Sequence, residues 1–262
     1  WEEQGETVHA SPLMARREPY AETVPQDAVV LVAGCDCQDD RIEVEIVAFG
    51  VGEECWGIEY KTIYGAITNP ATWTSLDEFL NRSWKHESGV QLRVASAMID
   101  TGYQSKIVYD FCKPREVNRV FAIKGVAGVN RPVVSRPNRG NSAKVALFSL
   151  GVDSAKELIY SRLKIEDSGA GYCHFPIGQG YDEEYFEQLT AEKAVTRVRN
   201  GVKTRVWQKT RARNEALDLR VYNMAAMEIL NPQMDKIMDD LYPREEAEEV
   251  SPMRQNKGFV NR

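Results

Sequence analysis

The chain has 262 residues, 43% hydrophobic and 27% charged, enough to bury one large α/β core or two small ones. No apolar run approaches the roughly 18 residues of a membrane helix, which excludes a spanning helix; five cysteines in no regular framework (Cys35, Cys37, Cys55, Cys112, Cys173) point to a reducing, intracellular setting. The formal charge of −6 is unevenly placed, with −5 of it in residues 235–249, so the acidic sum does not speak against a polyanionic partner.

Residues 1–27 are polar, rich in Glu, Pro and Arg, and read as a linker or extended arm. Trp1 begins without an initiator Met or a basic-then-apolar leader, so no secretion signal is expected and the chain reads as part of a longer polypeptide. Ala28-Val-Val-Leu-Val-Ala-Gly34 is a short apolar run suited to a buried strand. In residues 41–49, Ile42, Val44 and Ile46 alternate with Glu43 and Glu45, which predicts a half-exposed strand joined to the first by an acidic turn. Residues 55–63 give a third strand, completing an antiparallel meander. Trp73, Leu76, Phe79 and Leu80 fall at helical spacing, with Thr74 or Ser75 as expected caps.

Residues 92–100 predict a strand, 104–111 a helix and 119–123 a strand, a parallel crossover unit. The Gly-, Pro- and Arg-rich residues 125–142 read as a mobile loop. A strand over 145–150, helices over 154–163 and 182–189 and a strand over 202–208 follow. A long helix from about Asn214 to Leu230 ends at Asn231-Pro232, and the acidic residues 233–262 are expected to form a disordered tail. The domain proper is therefore placed at 28–232.

Three carboxylates carry the chemistry. Asp36 and Asp100 each end an apolar strand, Asp100 being followed by Thr101-Gly102, and Asp218 lies beside the apolar stripe of the last helix. An Asp next to a buried stripe needs a partner, which is either a cation or an arginine such as Arg213 or Arg220. Asp36 points opposite to Cys35 and Cys37, so that Cys pair reads as buried packing, and three histidines without Cys-x-x-Cys argue against structural zinc. The meander, the crossover pair and the three acids together describe a ribonuclease H-like α/β fold: a mixed sheet of antiparallel and parallel strands flanked by helices. Carboxylates so placed suit two divalent ions, Mg²⁺ or Mn²⁺, that hydrolyse a phosphodiester. Asp39 and Glu215 are candidate supporting acids. Lys124, ending a strand beside Gly125, either contacts a phosphate or pairs with one of the acids.

Residues 193–213 hold eight Lys/Arg and no acid, and residues 113–144 hold eight with only Glu116. They read as solvated faces or as a phosphate-tracking surface, with Arg131, Arg136, Arg139, Lys203, Arg205, Lys209, Arg211 and Arg213 as candidate DNA contacts.

The segments Gly34-Cys-Asp-Cys-Gln-Asp-Asp-Arg41, Val120-Phe-Ala-Ile-Lys-Gly125, Asp153-Ser-Ala-Lys-Glu-Leu-Ile-Tyr160, Tyr172-Cys-His-Phe-Pro176, Gln188-Leu-Thr-Ala-Glu192 and Arg213-Asn-Glu-Ala-Leu-Asp218 resemble the nuclease domain of the large terminase subunit of tailed bacteriophages, the lambda-type gpA family. The resemblance spans roughly residues 28–230. It implies a metal-dependent endonuclease that cuts concatemeric double-stranded DNA during packaging, in the cytoplasm of a bacterial host, with Asp36, Asp100 and Asp218 as its acidic triad. Asp100 stands where some relatives have Glu. It also implies an upstream ATPase, a small terminase subunit and a portal or capsid as partners, and no membrane. No Gly-x-x-x-x-Gly-Lys-[Ser/Thr] loop occurs here, so no ATP site is expected in this chain. Competing readings are a silent DNA clamp or motor-docking module, and another ribonuclease H-like enzyme such as a resolvase or transposase.

Overall fold

A computed structural model describes residue 5 and residues 7–20, 22–128, 130–199 and 202–242. Strands β1 (Val30–Cys37), β2 (Arg41–Phe49) and β3 (Cys55–Tyr64) form the expected antiparallel meander. Short β4 (Ser83–Lys85) pairs antiparallel with β5 (Gln91–Asp100). β5 lies parallel to β1, and helix α3 (Ser105–Cys112) crosses over to β6 (Val120–Val126), parallel to β5. β7 (Leu147–Gly151) and the two-residue β8 (Cys173–His174) close the edges, giving the order β7-β6-β5-β1-β2-β3-β8. This eight-stranded mixed sheet flanked by helices is the ribonuclease H-like architecture expected.

Both faces of the sheet are covered, which is why β1 is buried along its whole length. Leu31, Ala33 and Cys35 pack under α3 and α2 (Pro70–Leu80), whose Trp73, Leu76 and Phe79 are buried. Val30 and Val32 face α4 (Val152–Leu163), α5 (Glu183–Leu189) and α6 (Glu215–Leu230). α6 sits directly on β1: a Cβ on Gly34 would come within 2.5 Å of the Leu219 carbonyl oxygen, so glycine is what permits this approach. Cys35 and Cys37 are buried free thiols. Among the described residues no helix is long and apolar enough to cross a membrane.

Several expectations need correction. α2 begins earlier than expected, at Pro70, capped by the Asn69 side chain accepting from Ala71 N–H at 3.0 Å; Thr74 instead donates back to the Pro70 carbonyl. β2 is not half-exposed, because α5 and α6 cover its Glu face and Glu43 and Glu45 have no exposed surface. The arm contains α1 (Ala10–Ala15), whose Leu13 is buried in the core, and Glu18 and Val24 bridge to Pro176 and His86. The loop after β6 is tethered: Ser135 donates to the Ser149 carbonyl, Asn138 pairs with Leu147, and the segment runs antiparallel along β7. The expected disordered tail opens with α7 (Met234–Leu241), whose Met234, Ile237, Met238 and Leu241 pack on the core; its remainder, residues 243–262, lies outside the described residues. Strand β10 (Val202–Lys209) pairs with an unforeseen β9 (Glu192–Arg199), making a two-stranded antiparallel ribbon separate from the sheet.

Candidate functional site

The parallel register places Cys35 opposite Ile99, so the next residues, Asp36 and Asp100, leave adjacent strands at the same edge. Cys35 and Ile99 both belong to the core under α2 and α3, so the alternating Asp36 and Asp100 turn to the other face, toward α6. Asp218 lies on the first turn of α6, near enough that its charge acts on Asp36 and that of Asp100 acts on both. Three acids separated by up to 182 positions thus share one field.

Asp36 is 8% exposed, and the Gln38 side-chain amide donates to its Oδ2 at 2.7 Å. Burial pushes its carboxyl up to about 7, and repulsion from Asp100, Asp218 and Glu215 adds to this against the Gln38 hydrogen bond. Asp218 is pushed up to about 6, by burial first and then by Glu192 and Asp100, opposed by Lys156 and Lys209. Asp100 is also raised by burial, with the Gly102 and Thr101 amides and the nearby Lys124 pulling the other way. Gly102 N–H donates to Asp100 Oδ2 at 2.8 Å, so the acid fixes its own turn while facing the site. The Tyr222 hydroxyl, one turn along from Asp218, is held neutral by burial and by all three acids.

The supporting residues divide. Glu215 joins the site: it is buried, accepts from Gln38 at 3.3 Å and pairs with Arg41 and Arg213. Asp39 does not enter the mutually repelling group; its carboxylate accepts from Tyr103 Oη at 2.8 Å on the surface. Lys124 is exposed at the strand end beside Asp100. Neither arginine considered as a partner for Asp218 pairs with it. Arg220 is buried against Glu45 at 2.9 Å, and Arg213 reaches Glu43 at 2.7 Å.

The basic candidates also divide. Lys203 and Arg205 lie exposed on β10, Arg205 paired with Glu157 at 3.3 Å, and Lys209 at the ribbon's base donates to Asn214 Oδ1 at 2.6 Å. Arg211 is exposed and forms a two-pronged pair with Glu187. Arg131 and Arg136 are exposed, and Arg131 stands near the carboxyl ends of β6 and β7, its Cβ beside Gly151. Arg139 does not gather there: it grips Glu116 with two nitrogens, in the turn that precedes β6, at the edge opposite Asp100. Arg213 is exposed while its guanidinium also pairs with the buried Glu43.

Sequence reading missed Gln38, Lys156, Glu192 and Asn214. Lys156 was discoverable, since it sits three and four positions before Ile159 and Tyr160 on the buried stripe of α4, where a charge demands a partner. Asn200-Gly201 between two β-rich runs is a hairpin signal that would have started a strand near Glu192.

The residues with the chemistry to hold a metal are Asp36, Asp100 and Asp218, hard oxygen donors whose mutual repulsion a cation would relieve. They fit one in charge and donor type. Among the described residues no group of three or more acids, histidines or cysteines is placed to hold a metal ion in this conformation.

Comparison with known proteins follows the same line. Residues 1–238 match the family described as "Terminase large subunit gpA, endonuclease domain". The large terminase subunit of Escherichia phage lambda is 36% identical over 236 residues, and that of Enterobacteria phage P21 is 31% identical over 237; each match covers 87% of this chain. The chain spans 37% of the length of these curated relatives. No solved structure gives a significant match. The chain belongs to the gpA family of terminase large-subunit endonuclease domains.

Proposed function

We propose that this domain is a metal-dependent endonuclease that cuts concatemeric double-stranded DNA for packaging into a viral capsid, with Asp36, Asp100 and Asp218 holding two Mg²⁺ or Mn²⁺ ions. The observation that carries the reading is the convergence of three carboxylates at one sheet edge, two of them pushed up to about 7 and about 6. Divalent ions bound there supply Lewis acidity to the phosphodiester and lower the pKa of the attacking water. The chain's own groups do the rest. Gln38 orients Asp36, the Gly102 amide fixes Asp100, and Asn214 donates to Asp218 Oδ2 at 3.0 Å. Lys124, beside Asp100, faces a phosphate entering at this edge. Lys203, Arg205 and Lys209 on the ribbon supply charge that tracks the duplex backbone.

In the whole protein this centre works with an upstream ATPase, a small subunit that chooses the site, and a portal or capsid that receives the DNA, within the host cytoplasm. The test is incubation of supercoiled plasmid with purified protein and Mn²⁺ or Mg²⁺. The endonuclease reading predicts nicked and linear products that disappear with Asp36→Ala, Asp100→Ala or Asp218→Ala while DNA retention persists. Retarded but intact plasmid under every divalent ion refutes it and favours a DNA clamp.

A further inference from the structure

Lys156 on α4 is 6% exposed, yet it points across to α6. Its Nζ lies 2.7 Å from Glu192 Oε1 and 3.7 Å from Asp218 Oδ1. Glu192, 3% exposed, opens the basic ribbon and stands in register with Lys209. Asn214, 5% exposed, completes the circuit. Its Nδ2 donates to Glu192 Oε1 at 2.9 Å and to Asp218 Oδ2 at 3.0 Å, and its Oδ1 accepts from Lys209 Nζ at 2.6 Å. With two carboxylate acceptors on its nitrogen side and a lysine donor on its oxygen side, the orientation of this amide is fixed by its neighbours.

A lysine buried only to balance Glu192 would need no second carboxylate. A carboxylate has about four acceptor sites on two oxygens. Lys156 approaches one oxygen of Asp218 and Asn214 bonds the other, so the group is held from both sides with acceptor capacity left on each oxygen. We propose that Lys156, anchored by Glu192 at the root of the ribbon, is a positioning residue that aims the Asp218 carboxylate into the site. The proposal rests on the endonuclease reading and adds to it a residue outside the acidic triad. A compact ammonium serves here better than a planar guanidinium, which needs room for a fork of donors.

The informative variant is Lys156→Gln/Glu192→Gln in the whole chain. It removes one positive and one negative charge together, leaves no orphaned buried ion and keeps the net charge near the site unchanged. A change in metal uptake then reports geometry. Mn²⁺ binding to the metal-free protein is measured by titration calorimetry, and plasmid cutting is resolved into kcat and KM. The expected result is a folded variant whose Mn²⁺ affinity falls at least fivefold and whose kcat falls at least tenfold, with KM for DNA within twofold of wild type. Lys156→Arg alone, which keeps every charge but replaces the compact ammonium, moves Mn²⁺ affinity in the same direction and serves if the double variant does not fold. Wild-type Mn²⁺ affinity in the folded variants, or no Mn²⁺ uptake by the wild type, overturns the proposal. Wild-type protein that takes up Mn²⁺ more tightly than the double variant but never cuts plasmid refutes the endonuclease reading and leaves the positioning role standing.

Discussion

Asp36→Asn is predicted to stabilise the metal-free protein at alkaline pH. Asp36 is almost fully buried, faces Asp100, Asp218 and Glu215, and among the described residues has the Gln38 amide alone in compensation. Its carboxyl sits at about 7 instead of 3.8. Between those values the folded state binds the proton more tightly than the unfolded state. Stability from this group is therefore full below the ordinary carboxyl value and is lost as pH rises through about 7. At pH 8 the ionised form costs the fold at most about 4 kcal/mol, and local relaxation reduces that. Asparagine is nearly isosteric, keeps an acceptor for Gln38 and removes the charge, so a gain of about 1–4 kcal/mol is expected. For a chain of this size that raises the melting temperature by roughly 3–10 °C. The assay is thermal unfolding with chelator at pH 8 and pH 4. The variants differ at pH 8 and converge at pH 4, and added Mn²⁺ stabilises wild type far more than Asp36→Asn. A variant less stable than wild type at pH 8 refutes the argument, because Asp36 would then be engaged in favourable contacts.

Four further outcomes follow from particular contacts. Gly34→Ala drives a methyl to 2.5 Å from the Leu219 carbonyl, which costs about 2–3 kcal/mol and abolishes plasmid cutting by shifting Asp218, while DNA retention survives. Arg220→Met strands the fully buried Glu45 and lowers stability in urea by about 3–5 kcal/mol; Glu45→Leu/Arg220→Met recovers much of that loss. Mn²⁺ affinity measured calorimetrically rises from pH 5.5 to pH 8 as Asp218 and then Asp36 ionise, and a flat profile contradicts their raised values. In filter binding, Lys203→Glu and Arg205→Glu each reduce the log–log salt slope by about 1, whereas Arg139→Glu, at the far edge, leaves it unchanged.

Much of this framework is legible in the chain because it is encoded locally. The apolar run into Asp36, the alternation of β2 and the strand–helix–strand unit whose first strand ends at Asp100 each fix an element and its direction. Parallel pairing then leaves few places for two strand-end acids to go. What the chain hides is settled by distant partners. Glu43 and Glu45 look solvent-facing in a period-two pattern, yet Arg220, Tyr181 and Tyr185 arrive from more than 130 positions away to bury Glu45. Arg139 resembles its neighbours in composition but is carried to the wrong edge because its segment runs antiparallel along β7. β9 escapes notice because charges fall on both sides of an edge ribbon, blurring the alternation. The Lys156–Glu192–Asn214–Asp218 circuit joins three elements that no local pattern connects.

The most direct measurement is anomalous diffraction from crystals of this chain soaked in Mn²⁺. Two Mn²⁺ peaks bridged by the carboxylates of Asp36, Asp100 and Asp218, absent from Asp36→Ala crystals treated alike, are the predicted result. Ordered Mn²⁺ found only elsewhere, with these three acids turned away from one another in the soaked crystal, contradicts a shared metal centre at the sheet edge.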